Sequence, residues 1–126
     1  MIEAAEAVRR GLLAALSAQP ELAEVQVYGG EIPSGVLPRI EIGEASGSDW
    51  GAKEMPGREL RTAVIVRVAS GQAERLAALT GAVERAGETV ARELDGWRVA
   101  SAVLLRSRGS GGRSGERVMT IEHRIR

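Results

Sequence analysis

The sequence predicts an α+β domain in which an antiparallel or mixed sheet of about five strands carries two helices on one face, in the order α-β-β-β-α-β-β. Three observations lead there. Two stretches place apolar residues at three- and four-residue spacing, and several other segments alternate apolar and polar residues. The strand-like segments also come in runs, not as repeated βαβ units. At 126 residues the chain has the size of one domain, residues 1–126, and can bury roughly two thirds of its unfolded surface without disulfides or metals.

From Ile2 to Ser17 the residues Ile2, Ala5, Val8, Leu12, Leu13 and Leu16 form one helical stripe, which Pro20 ends. "VQVY" (25–28) alternates and runs into Gly29-Gly30. "PRIEIGE" (38–44) then puts Ile40 and Ile42 on one side of a second strand. In "ELRTAVIVRVA" (59–69) Leu60, Val64, Val66 and Val68 share one face, with Arg61, Ala63, Ile65 and Arg67 on the other. Ser70 is the expected N-cap of a long helix whose stripe is Leu76, Leu79, Val83, Ala86, Val90 and Leu94, with Asp95-Gly96 as its stop. Gly81 and Gly87 inside it each cost about 1 kcal/mol relative to Ala. "WRVASAVLLRS" and "ERVMTIEHRIR" read as two final strands.

Two connections remain, expected as long loops at about 44–58 and 107–116. Structureless connections of more than about 12 residues are uncommon in compact domains and often functional. The first, within "GEASGSDWGAKEMPGREL", holds Trp50, one of only two tryptophans in a chain without phenylalanine. Trp is enriched at binding hot spots, so the segment reads as a contact arm, with its packing on its own domain as the alternative. The second is Gly- and Ser-rich, and Arg106, Arg108, Arg113 and Arg117 form a basic rim around it.

Composition bounds the chemistry. With no cysteine there is no disulfide, thiolate ligand or cysteine nucleophile, and Lys+Arg balances Asp+Glu at 17 each, so no net field attracts nucleic acid or membrane. No apolar run reaches the roughly 20 residues of a membrane span, so the chain is expected to be soluble. His123 is the single histidine, and it falls on the strand face of Met119, Ile121 and Ile125. No nucleophile elbow, phosphate loop or metal-ligand spacing accompanies it, so neither catalysis nor a cofactor is expected. Arginine supplies 16 of the 17 basic residues, which suits protein interfaces and phosphate alike.

The opening amphipathic helix, the "VYGG" strand end, the Pro-led strand, the Gly43, Asp49, Trp50, Lys53, Gly57, Glu59 constellation, the long helix and the closing "RIR" together resemble the tail-completion or tail-terminator family of long-tailed phages and gene transfer agents. Members often carry Trp-Ser at the end of the long strand, where this chain has Ala69-Ser70. The resemblance implies a non-enzymatic protein of the phage or gene-transfer-agent particle. Such a protein forms a hexameric ring at the head-proximal end of the tail tube, contacts the tail tube protein and the head–tail connector, and lets DNA pass through its lumen without sequence recognition. Asp49, Trp50, Lys53, Arg58, Arg106, Arg108, Arg113 and Arg117 are then the expected subunit, tail or head contacts. The alternative is a small ligand-binding or nucleic-acid-binding domain using the Arg-rich loop.

Overall fold

A computed structural model describes residues 3–29, 36–52, 55–112 and 115–126. Helix α1, Ala4–Ser17, buries Ala4, Ala7, Val8, Leu12 and Leu16. A short 3₁₀ turn at Pro20–Leu22 follows, as the proline dictates. Strands β1 (Gln26–Tyr28) and β2 (Arg39–Ile42) come next and pair in parallel. β4 runs from Met55 to Ala69, and Val64, Val66 and Val68 on its dry face pack with Ile40, Ile121 and Ile125 under Leu12, Leu16, Leu79 and Val83 of the two helices. Burying each such side chain contributes about 1.5–3 kcal/mol, so an all-aliphatic core suffices. With β3 (Ser46–Ala52), β7 (Ala102–Gly111) and β8 (Glu116–Ile125), the principal sheet has the order β1-β2-β4-β8-β7, β3 also pairing to β4, and it is mixed because among the described strands only β1–β2 is parallel. The α+β class expected from the sequence is the one observed.

The first long connection is not an irregular loop. β3, Ser46–Ala52, pairs antiparallel with the N-terminal half of β4, Ser46 opposite Arg61 and Ala52 opposite Met55. The cause lies in β4, whose 15 residues outrun its partners: β2 covers Val64 to Arg67 and β8 covers Leu60 to Ala69. The remaining N–H and C=O groups need partners, and β3 supplies them. The second connection shortens in the same way, since β7 (Ala102–Gly111) and β8 (Glu116–Ile125) stay paired as far as Gly111 and Arg117.

The second helix is also shorter than its apolar stripe. α2 spans Ala73–Glu88, its N-cap position is Gln72 and not Ser70, and Val90 and Leu94 are buried outside it. Asp95 and Gly96, with φ of 50° and 92°, form a two-residue hairpin turn that joins β5 (Glu93–Leu94) to β6 (Trp97–Arg98), Leu94 opposite Trp97. Asp-Gly is a strong signal for such a turn, and that demand overrides the extension of the helical stripe. Trp97 therefore stands in a small hairpin, half-buried, and does not open the long β7 strand.

Candidate functional site

The hairpin arm brings three of the sequence-predicted residues together. Asp49 lies opposite Arg58 and accepts a hydrogen bond from its Nη1 at 2.9 Å, but the carboxylate is almost fully exposed, so the pair contributes little to stability. Trp50 lies opposite Gly57, where a Cβ would come within 3.2 Å of the indole Cε3. The Arg126 guanidinium sits 5.2 Å above the ring centre. The indole is thus held by its own chain and still 39% exposed. It borders an apolar cleft of about 780 Å³ lined by Ala4, Val8, Leu94, Trp97 and Ile125. Lys53 and Arg113 lie outside the described residues.

The expected basic rim divides. Arg106 and Arg108 extend from β7 onto the sheet face that carries no helix among the described residues, and both bond the carboxylate of Glu122, Arg108 at 3.4 Å. Arg117 is opposite Val68 in register and so belongs to the other face. A bulge at Leu104/Arg106 sets Arg106 against Glu122, as bulges do when they re-aim a side chain.

Sequence reasoning missed what this face adds to the pair. Arg61 of β4 and Arg124 of β8 are direct cross-strand partners, and Glu59 and Arg126 stand beside them, joined by a 2.8 Å hydrogen bond from Arg126 Nε. Arg61 reaches Glu59 only at 3.9 Å. Arg124 Nε is buried and has no hydrogen-bond partner among the described residues. Five arginines thus surround two glutamates on one continuous surface. Their field is visible in the carboxyls. Glu122 is held below its ordinary pKa, first by the hydrogen bond from Arg106 and then by the charges of Arg106, Arg108 and Arg61. Glu59 is lowered first by Arg126 and then also by the charges of Arg61 and Arg124. The alternation of "ELRTA" and "EHRIR" does signal a polar strand face, but only the register shows that the two arginine sets coincide.

Farther along the same face, Arg39, Glu41, Arg67 and Glu116 form a chain of ion pairs at 2.7, 2.8 and 3.4 Å. Arg39 and Glu41 are nearly fully buried, and every charge in the chain has a partner, so this group is structural. His123 is fully buried on the opposite face, its Nε2 3.0 Å from the Glu84 carbonyl oxygen. No serine hydroxyl or carboxylate bonds its ring among the described residues, where no group of three or more His, Asp or Glu is placed to hold a metal ion either. No described helix is long and apolar enough to cross a membrane.

The arrangement is that of a small α+β domain whose distinctive surfaces are a hairpin arm with a half-exposed indole and an arginine-rich sheet face. Over its full length the fold is similar to a chain of a solved structure described as the virion of a native gene transfer agent particle. The TM-score is 0.84 and the identity 19%, with 100% of this chain and 98% of that one covered. At that identity the likeness is one of fold. No protein-family model matches the sequence, and no curated protein matches it.

Proposed function

We infer that this chain is a non-enzymatic structural protein of a phage-like or gene-transfer-agent particle, acting as its tail terminator. The observation that carries this reading is the end-to-end match in fold to a virion chain, with essentially no residue of either left over. The sequence resemblance to tail-completion proteins points the same way. In this reading copies of the chain close into a hexameric ring at the head-proximal end of the tail tube, stop its growth and offer a surface to the head connector.

A ring needs heterologous contacts, so two different patches per subunit must meet. The hairpin arm, with Asp49, Trp50, Lys53 and Arg58, serves as one. The turn that joins β7 to β8, with Arg113 and Arg117, serves as the other, while Arg106 and Arg108 stand on the opposite sheet face. Light scattering on the purified chain, combined with images of assembled particles, tests this. The expected result is a ring of defined mass in solution or at the tail end. A monomer at every concentration together with particles lacking such a ring would refute it.

A further inference from the structure

The direct pairing of Arg61 with Arg124 has no explanation in folding. Like charges placed opposite each other on neighbouring strands destabilise a sheet, and here the carboxylates nearby are already engaged. Glu122 accepts from Arg106 and Arg108, and Glu59 accepts from Arg126. Arg124 enters no ion pair among the described residues and buries an Nε that nothing satisfies. A buried donor on a charged group left unpaired is costly, and an external anion is what would relieve both the repulsion and the orphan.

We propose that this helix-free face, centred on Arg61 and Arg124 and flanked by Arg106, Arg108 and Arg126, binds the phosphate backbone of double-stranded DNA. The surface is open and spans three adjacent strands, β4, β8 and β7, so it suits an extended polyanion better than one small anion in a pocket. Along β7 and β8 the arginines stand two residues apart, about 7 Å in an extended strand, a spacing on the scale of successive phosphates. Arginine forks bind phosphate oxygens in bidentate fashion, and these stand on a broad multistranded sheet face, so the contact is with the backbone and without base readout. Ser46 and Ser48 of β3 lie opposite Arg61 and Glu59 and extend the surface with hydroxyl donors.

The inference goes beyond the ring reading and is carried by the charges of a single subunit. The test is fluorescence anisotropy with a labelled 30-base-pair duplex at low salt, using the full chain and Arg61→Gln/Arg124→Gln. Wild type is expected to bind duplexes of unrelated sequence equally, with log K falling against log salt by about 0.9 per phosphate neutralised. The double variant should bind at least 10-fold more weakly, with a slope shallower by about 2. Its melting temperature should be unchanged or raised, because a repulsion is removed. Arg108→Gln, which gives up only a 3.4 Å contact, should weaken binding several-fold, and Arg75→Gln on α2 should leave it unchanged.

No duplex binding by wild type, or equal binding by the double variant, overturns the proposal. So does displacement of the duplex by inorganic phosphate at matched ionic strength, which would reduce the site to one for a single anion. Light scattering on the same samples separates the two readings. Rings that ignore DNA refute this proposal alone, and DNA binding by a chain that never forms rings refutes the ring alone.

Discussion

The imidazole of His123 occupies the place that a side chain at Gly87 would fill: a Cβ built there would lie 2.2 Å from both Cε1 and Nε2 of the ring. The glycine that weakens α2 by propensity is what allows the sheet's histidine to press against the helix and reach the Glu84 carbonyl. Gly87→Ala should therefore destabilise the fold by about 1–3 kcal/mol, the range for overpacking a core, even though Ala is the better helix former by about 1 kcal/mol. Gly81→Ala is the control. Its Cβ would meet only Arg85 Nη1 at 3.5 Å, so it should be neutral or stabilise by up to about 1 kcal/mol. Urea denaturation of the two variants compares them directly.

Trp50 and Trp97 should separate assembly from folding. Trp50→Ala removes a half-exposed indole whose contacts are Gly57 and Arg126 and should weaken self-association by about 2 kcal/mol or more with a smaller loss of subunit stability. Trp97→Ala removes a side chain packed against the core and should lower the stability of the subunit itself by about 2 kcal/mol. Sedimentation and thermal melting read the two effects. If Trp50→Ala melts like Trp97→Ala and associates normally, the arm serves its own domain.

Glu41 is the shared acceptor for Arg39 and Arg67, at 2.7 and 2.8 Å. Replacing it with Ala leaves a buried guanidinium without its counter-charge, which should cost about 3 kcal/mol. Glu41→Gln should lie between wild type and Glu41→Ala, since the amide oxygen still accepts. Chemical denaturation at constant pH measures this.

Stability should decline in acid. Glu6 is lowered from an ordinary value of 4.5 to about 2, first by the hydrogen bond from Arg9, and Glu59 and Glu122 are lowered as well. A carboxyl depressed in the folded state contributes its full stabilisation above about pH 4.5 and loses it as the pH falls through the folded value, because the unfolded chain then binds more protons. For Glu6 that window is pH 4.5 down to about 2. The groups are solvent-accessible, so the effect should be modest and smaller in high salt. Denaturation midpoints at pH 7, 4 and 3, with and without salt, give the sign and the screening.

Much of this molecule was legible in its sequence because the signals were local and strongly periodic. Leu12 and Leu16 on α1, Leu79 and Val83 on α2, and Val64, Val66 and Val68 on β4 all sit on the faces their spacing assigns, and with them come the α+β class and the one-sided helical layer. Where a short signal competed with a longer pattern, the sequence misled. Asp95-Gly96 reads as a helix stop after Leu94, but its backbone takes the two positive φ values of a hairpin turn between β5 and β6, and the helix has already ended at Glu88.

What only the tertiary structure decided is everything that depends on register. "SGSDWGA" has no apolar period of its own and becomes a strand because the overlong β4 has backbone groups to satisfy. His123 could have been exposed or satisfied, and Gly87, far away in sequence, makes it a buried contact. Arg106 and Arg108 looked like the rim of a loop together with Arg117, yet strand alternation sends Arg117 to the other face and brings Arg61, Arg124 and Arg126 in from two other segments. A chain with no net charge can still concentrate five arginines on one surface, because hydrophobic burial fixes which side of each strand faces inward and pairing then fixes which outward residues become neighbours.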